Sequence, residues 1–332
     1  MKQDKTFFAQ LITIIFTIIF MGALSAKADI KVVTTIKPLH SLISNVMDGI
    51  GEPSLIIEGS TSPHSFVLKP SHAKLIEQAD IIFWIGEDIE TFMEKPLESI
   101  AKNAKKVSFM ELSSIEKLKF REENIFEHED HDDHGHGEKK DHDDHGHGEK
   151  KDHDDHGDGH EGHHHGEFDA HIWLDPANAK EMLHEIAHEL ADLDPANADK
   201  YESNADKAIK SIDAMISSVS SSINKDAKFI VFHDAYQYFE KRFGVATAGA
   251  LTVNTDVLPG AKQISEIQEV IAEKDIKCIF SEPQFNPKII ETIAQDMDIK
   301  TGVLDPLGSI FDAGKSQYFT LINDIGNKLK GC

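Results

Sequence analysis

Short apolar runs alternate with helix-spaced apolar residues along two long parts of the chain. In the first part, apolar runs predict four β-strands, at residues 30–35, 54–57, 81–85 and 107–110. Apolar residues at helical spacing predict helices between them, at residues 38–47, 71–79 and 89–101. Strands that alternate with helices in this way are typical of a parallel sheet that helices cover on both faces.

The same alternation returns in the last third of the chain. Strands are predicted at residues 229–232, 245–251, 278–280 and 301–304. Helices are predicted at residues 236–243, 261–274, 287–297 and 315–329. We therefore expect a second α/β lobe with its own parallel sheet, and each lobe is expected to be Rossmann-like.

Two long helical patterns separate these parts, at residues 176–193 and 195–224. At 1.5 Å per residue, the second helix would be about 45 Å long. A helix of this length is too long for one small domain, so the pattern predicts a rigid spine between two lobes. The predicted fold class is therefore α/β, with two lobes joined by a long spine helix.

The first 28 residues have the three parts of a secretory signal. Lys2 and Lys5 make a basic start, residues 11–24 form an apolar core, and Ala26 and Ala28 flank a small-residue cleavage site. A membrane anchor is the alternative, but the apolar run is shorter than the ~20 residues that a span needs. No cysteine stands directly after the run, so we expect an exported protein without a lipid anchor.

Residues 127–167, the histidine-rich insert, differ in kind from the rest of the chain. They hold 13 of the 20 histidines, and an 11-residue unit at 131–141 recurs unchanged at 142–152. Acidic residues and glycines fill the unit and nothing apolar can pack, which predicts a disordered loop. The loop could collect or sense zinc by binding several metal ions weakly, or its charge could only keep it soluble and extended. Its histidines are His128, His131, His134, His136, His142, His145, His147, His153, His156, His160, His163, His164 and His165.

Charge and cysteine content narrow the class of partner. Lysine plus arginine total 34 against 58 acidic residues, so the net charge is −24. This charge argues against nucleic acid and anionic membranes as partners and suits cations. Two cysteines cannot build a four-thiolate zinc site. For an exported protein, Cys278 and Cys332 favour a disulfide, with two free thiols as the alternative.

A protease-like motif lies in the first long helical pattern. His184, Glu185 and His188 match the H-E-x-x-H motif of zinc metalloproteases, which gives a secreted protease as an alternative function. At 100° per residue, however, the apolar positions centre on Ile186 and both histidines fall near the opposite side. An exposed polar face is therefore the preferred interpretation. His40 and His72 lie inside predicted helices and are assigned structural or surface roles.

Three other histidines lie at strand–loop junctions, where α/β sheets place their ligands. His64 is in the loop after one strand, His171 begins a strand–loop junction, and His233 directly follows the apolar strand 229–232. Asp305 ends a fourth strand. Three imidazoles and one carboxylate suit a tetrahedral divalent site, and the nitrogen ligands favour zinc over manganese. The alternative is that each histidine merely caps its loop.

At this point the chain resembles the metal-specific substrate-binding proteins of ABC importers, and most closely their periplasmic zinc-uptake branch. The resemblance covers the whole mature chain and is carried by residues 33–39, 62–71, 79–86, 171–176, 232–236 and 304–308, with the histidine-rich insert between them. It implies that His64, His171 and His233 ligate zinc in a cleft between the lobes.

The resemblance has further implications. The spine helix would limit hinge opening, and a disulfide would tie the last residue back. Manganese-type relatives commonly carry Glu at the position of His233, so histidine points to zinc. Zinc-type relatives can carry Glu before the first ligand, whereas this chain has Pro63. The fourth ligand is therefore expected to be Asp305 or a water.

The resemblance implies a function in transport. We expect a periplasmic monomer that is not an enzyme, captures Zn²⁺ and delivers it to an ABC importer permease and, through it, a cytoplasmic ATPase. A manganese or other divalent-metal binding protein, or an adhesin of the same family, is the alternative. The expected parts are a signal peptide (1–28), an N-terminal lobe (29–126 and 168–194), the insert (127–167), the spine (195–224) and a C-terminal lobe (225–332).

Overall fold

The computed structural model describes residues 30–121, 123–125, 166–253, 255, 259–295 and 297–332. The predicted signal peptide and all thirteen histidines of the histidine-rich insert lie outside the described residues. Within the described part of the chain, no helix has the length and apolar character that crossing a bilayer requires.

The first lobe is built on a four-stranded parallel sheet. Its strands are β1 (Val32–Thr34), β2 (Ser54–Leu55), β3 (Ile81–Trp84) and β4 (Lys105–Ser108), in the order β2-β1-β3-β4. All four residues of β3 are buried, as expected of an inner strand whose two faces are both covered. The helices of this lobe are α1 (Lys37–Val46), α2 (Pro70–Gln78) and α3 (Glu94–Ser99). Helix α1 buries Leu39, Leu42, Ile43 and Val46, which lie on one face at helical spacing.

The second lobe repeats this plan. Its strands are β5 (Phe229–His233), β6 (Ala250–Thr252), β7 (Cys278–Ser281) and β8 (Lys300–Val303), which form a parallel sheet in the order β6-β5-β7-β8. Its helices are α6 (Gln237–Phe243), α7 (Ala261–Glu273) and α8 (Lys288–Ala294). The predicted α/β architecture with two parallel sheets is therefore confirmed.

Two long helices connect the sheets. Helix α4 (Pro176–Leu193) begins at Asp175, whose side chain accepts a hydrogen bond from the Ala177 amide at 2.8 Å. Helix α5 (Ala198–Ser222) has 25 residues and is therefore about 38 Å long. It begins three residues later than predicted because residues 195–197 form a 3₁₀ turn. Helix α5 packs against α4 and also against α1.

The end of the chain returns to the first lobe. The last helix, α9 (Gln317–Leu329), packs against α1 and α5. The final residue is nevertheless tied to the second sheet, because Cys332 forms a disulfide with Cys278 on β7, with 5.7 Å between the two Cα atoms. The predicted disulfide is thus present, and it joins the end of α9 to the opposite lobe.

Several predicted elements are shorter in the structure, and two of them have a clear physical cause. The helix expected over 89–101 is reduced to a 3₁₀ turn at Thr91–Met93 and helix α3. Pro96 lacks an amide proton and is tolerated only in the first turn of a helix, so a continuous helix from residue 89 cannot pass through it. The strand expected over 245–251 is reduced to β6. The Thr247 hydroxyl donates to the main-chain carbonyls of Phe229 and Gly249, and this turns the chain before β6 begins.

Candidate metal centre

His64 is presented by a short turn that follows β2. The turn is a 3₁₀ helix at Pro63–Ser65, and Pro63 suits its first position because that residue needs no amide partner. The Ser62 hydroxyl accepts a hydrogen bond from the His64 amide at 3.3 Å and caps the turn. His64 is half-buried, so its ring stands at the edge of the site.

His171 is held by its own chain from two residues away. One carboxylate oxygen of Asp169 accepts from the His171 amide at 2.9 Å and lies 2.6 Å from Nδ1 of the His171 ring. The following 3₁₀ turn, Ile172–Leu174, is buried, and its Trp173 donates from Nε1 to the Pro306 carbonyl at 2.8 Å. These contacts fix both the position and the rotation of the His171 ring.

His233 is the last residue of β5 and is buried. Glu282 follows β7, which pairs with β5, so the carboxyl ends of these parallel strands place the two residues together. Glu282 Oε1 lies 2.7 Å from Nδ1 of His233 and also accepts from the His233 amide at 3.3 Å. A carboxylate from the neighbouring strand therefore orients this ring as Asp169 orients His171.

The three rings meet through their Nε2 atoms. These atoms lie 3.4 Å apart between His64 and His171, and 3.2 Å apart between His171 and His233. A tetrahedral zinc ion with Zn–N bonds of about 2.05 Å holds its nitrogen ligands about 3.3 Å apart. The cavity beside the rings is only about 10 Å³, which is room for one ion or one water molecule.

The carboxylates also decide which nitrogen is available. Asp169 and Glu282 contact Nδ1 of His171 and of His233, and a carboxylate is an acceptor, so in these two rings Nδ1 carries the proton and Nε2 keeps its lone pair. Lone pairs that converge without a proton between them repel one another, and a cation relieves this repulsion. Of the His, Cys, Asp and Glu side chains in the described ranges, His64, His171 and His233 form the one group with the spacing of a metal site.

Charge around the site raises the pKa of His233. Burial alone lowers this pKa, but the charge and the hydrogen bond of Glu282 outweigh it, with further help from the charges of Asp234 and Asp169. Burial also raises the pKa of Asp234 to about 7, although Arg121 donates to its carboxylate at 2.8 Å. A proton therefore competes with any cation at His233.

Asp305 directly precedes Pro306 and Leu307, which line the cavity, but its own carboxylate is engaged elsewhere. Its Oδ2 accepts from the Ser309 amide at 2.5 Å and from the Ser309 hydroxyl at 2.7 Å. Its Oδ1 accepts from the Leu307 amide at 3.1 Å and from Gln284 Nε2 at 2.8 Å. Asp305 thus organises its own loop, and among the described residues it does not belong to the group of converging ligand atoms.

Four other histidines lie in the described part of the chain, and the structure does not bring them to this site. His184 and His188 are exposed on α4, while Ile186 of the same helix is fully buried, as the helical phase predicted. His40 Nε2 lies 3.1 Å from the Pro53 carbonyl, and His72 accepts from the Lys69 amide at 3.2 Å.

The sequence did not predict the roles of two residues at the site, Asp169 and Glu282. Glu282 stands two residues after the predicted strand 278–280, a position similar to that of Asp305, which directly follows the predicted strand 301–304. Asp169 stands two residues before His171, a spacing at which an aspartate side chain can bond the local main chain.

Comparison with known proteins places the chain in one group. A family model described as "Zinc-uptake complex component A periplasmic" matches residues 32–332. The chain is 45% identical over 315 residues to the "High-affinity zinc uptake system protein ZnuA" of Brucella abortus (strain 2308), and this covers 94% of each chain.

Solved structures agree at the level of the fold. A "Crystal structure of ZnuA" superposes with a TM-score of 0.71 at 20% identity and covers 92% of this chain and 99% of that one. A "Crystal structure of 138-173 ZnuA deletion mutant plus zinc bound" gives 0.70 at 21% identity, with 91% and 97% covered.

Proposed function

The chain belongs to the family of periplasmic zinc-uptake components, and we propose that it holds Zn²⁺ through Nε2 of His64, His171 and His233. It is a zinc-binding transport protein and not an enzyme. The carrying observation is the convergence of the three Nε2 atoms, whose separations of 3.4 Å (His64–His171) and 3.2 Å (His171–His233) suit tetrahedral zinc.

The ligand set favours zinc over manganese. Three imidazole nitrogens form a softer donor set than the carboxylate and carbonyl oxygens that manganese prefers. The carboxylates of Asp169 and Glu282 lie against Nδ1, on the far side of each ring from Nε2. They therefore orient the rings and do not ligate the ion.

The fourth coordination position is proposed to hold a water molecule. Asp305 is the alternative, but both of its oxygens already accept hydrogen bonds from Gln284, Leu307 and Ser309. Ligation by Asp305 would break at least one of these bonds and loosen the loop that lines the cavity, whereas a water molecule needs no rearrangement.

We further propose how the ion is handed on. The protein is exported through a cleaved signal peptide and acts as a periplasmic monomer. It releases zinc to the permease of an ABC importer, whose cytoplasmic ATPase supplies the energy. The histidine-rich insert is proposed as an auxiliary collector that binds zinc weakly near the cleft. We propose the same domain boundaries that the sequence predicts.

Calorimetric titration of zinc tests the ligand assignment. We expect the wild-type chain to show one tight site above the weak sites of the insert, and His233→Ala to lose the tight site. His184→Ala is the matched control, because His184 is an exposed histidine on α4 outside the cluster. Unchanged tight binding in His233→Ala, or loss of it in His184→Ala, would contradict the assignment.

A further inference from the structure

Two short segments flank the histidine-rich insert and pair with each other. We call them the insert stem, residues 116–121 and 166–169. Lys119 and Phe168 form an antiparallel bridge, and the Asp169 amide donates to the Leu118 carbonyl at 2.9 Å. The insert stem is therefore a small ladder whose main chain is ordered by its own hydrogen bonds.

The insert stem is also bonded to helix α6 of the second lobe. The Tyr238 hydroxyl accepts from the Leu118 amide at 2.9 Å and lies 2.6 Å from the Asp169 carbonyl, to which it donates. Gln237 Nε2 donates to Asp169 Oδ2 at 2.7 Å. Both strands of the stem are thus attached to the lobe that carries His233.

Arg121 ends the first strand of the stem with a charged contact. Its guanidinium donates to Asp234 Oδ1 at 2.8 Å and to Glu240 Oε2 at 3.0 Å. The side chains of these two carboxylates are only 1% and 5% exposed. Buried carboxylates require a cation beside them, so Arg121 is a structural partner of both and not a surface charge.

Each strand of the stem is therefore linked to one of the proposed zinc ligands, one directly and one through a neighbouring residue. Asp169 lies 2.6 Å from Nδ1 of His171, and Arg121 bonds Asp234, which directly follows His233. These two ligands belong to different lobes, and their Nε2 atoms are 3.2 Å apart. The stem contacts His171 directly, through Asp169 at Nδ1, and reaches His233 only through its chain neighbour Asp234.

We propose that the insert stem positions the zinc ligands across the cleft. Arg121 acts through Asp234 on His233, and Gln237 acts through Asp169 on His171. The proposal rests on the proposed function, because it takes His171 and His233 as zinc ligands. Coupling between two equilibria is reciprocal, so a stem that favours the paired ligands is itself more firmly formed when zinc is bound.

Zinc affinity of the full-length chain tests the proposal. Competition with a tight chelator isolates the strongest site from the weak sites of the insert. We expect Arg121→Ala and Gln237→Ala to weaken that site by about tenfold or more, the usual effect of losing an outer hydrogen-bond partner of a ligand. Arg121→Lys keeps the charge but cannot contact both carboxylates as a fork, so an intermediate loss is expected.

Lys119→Ala is the matched control within the stem. The Lys119 side chain is 77% exposed and forms a surface ion pair with Glu167. The zinc affinity of Lys119→Ala should therefore match that of the wild type. If Arg121→Ala does not fold, Gln237→Ala decides the result. Wild-type zinc affinity in all the folded variants of Arg121 and Gln237 would overturn the proposal. Absence of tight zinc binding in the wild-type chain would overturn the proposed function instead.

Hydrogen exchange separates positioning from simple stabilisation. The amides of Leu118 and Asp169 donate within or from the stem, and we expect both to exchange more slowly in the wild-type chain with zinc than without it. A merely structural stem would exchange at the same rate in both forms, and that result would overturn the proposal. In Gln237→Ala, the zinc-dependent protection should shrink.

Discussion

Glu282→Gln tests how the outer carboxylates support metal binding. Glu282 Oε1 lies 2.7 Å from Nδ1 of His233, and its side chain is 1% exposed, so the contact is not screened by solvent. Replacing the carboxylate by an amide of the same shape removes the charge that favours zinc at Nε2. Loss of such a partner typically costs 10–100-fold in metal affinity, which corresponds to about 1.4–2.7 kcal/mol.

The same variant should change the pH dependence of binding. In the zinc-free protein, burial lowers the pKa of His233 and Glu282 more than compensates, so the pKa lies above its ordinary value. Zinc binds the deprotonated ring, so wild-type affinity falls as the pH drops through this raised pKa. Without the Glu282 charge the pKa of His233 is lower, and the fall in affinity moves to lower pH. The deficit of Glu282→Gln is therefore largest at high pH and shrinks as the pH falls.

Chelator competition from about pH 5 to about pH 9 measures both effects. Glu291→Gln is the matched control, because Glu291 is an exposed glutamate on α8 of the same lobe. Wild-type affinity in Glu282→Gln near the top of this range would refute the claim that the carboxylate supports the ligand. A weaker but unshifted pH profile would refute the explanation through His233.

Three further predictions concern other parts of the molecule. Cys332→Ser opens a disulfide that spans 54 residues, so the free energy of unfolding measured with urea should fall by about 4 kcal/mol, and a reductant should abolish the difference from the wild type. Burial raises the pKa of Glu90 to about 7, so the folded state keeps a proton that the unfolded state has lost, and the stability from this group declines as pH rises towards that value. The free energy of unfolding of Glu90→Gln relative to that of the wild type, measured with urea, should therefore rise by up to roughly 3 kcal/mol between about pH 5 and about pH 8. Parallel pH profiles of the two proteins would contradict this. Asp305→Asn should keep zinc affinity within about threefold if water is the fourth ligand, whereas a loss of about a hundredfold or more would identify Asp305 as a ligand.

Much of the fold follows from local patterning. Strands β3 and β5 are runs of apolar residues buried on both faces, and such runs are read without knowledge of their partners. The exposed position of His184 and His188 follows equally from helical phase, because the angular spacing of residues is a property of the helix alone. The observed elements differ from the predicted ones at Pro96 and near Thr247, where one residue interrupts a helix or a strand.

The metal site could be predicted only in part from the sequence. His233 ends β5 as predicted, and a parallel sheet gathers its carboxyl ends at one edge. His64 lies in a 3₁₀ turn after β2, and His171 precedes a 3₁₀ turn and not, as expected, a junction with a strand. The direction of a hydrogen bond between side chains, in contrast, depends on rotamers and on tertiary packing. Glu282 therefore could not be assigned to His233, nor Arg121 to Asp234, because 49 and 113 residues separate the partners along the chain.

A crystal structure of the chain loaded with one equivalent of zinc tests the central claim most directly. Anomalous scattering at the zinc edge locates the ion independently of any assumption about its ligands. We predict a single strong peak about 2.0–2.1 Å from Nε2 of His64, His171 and His233. A strongest peak at the exposed pair His184 and His188, or at a position without the three rings, would contradict the account.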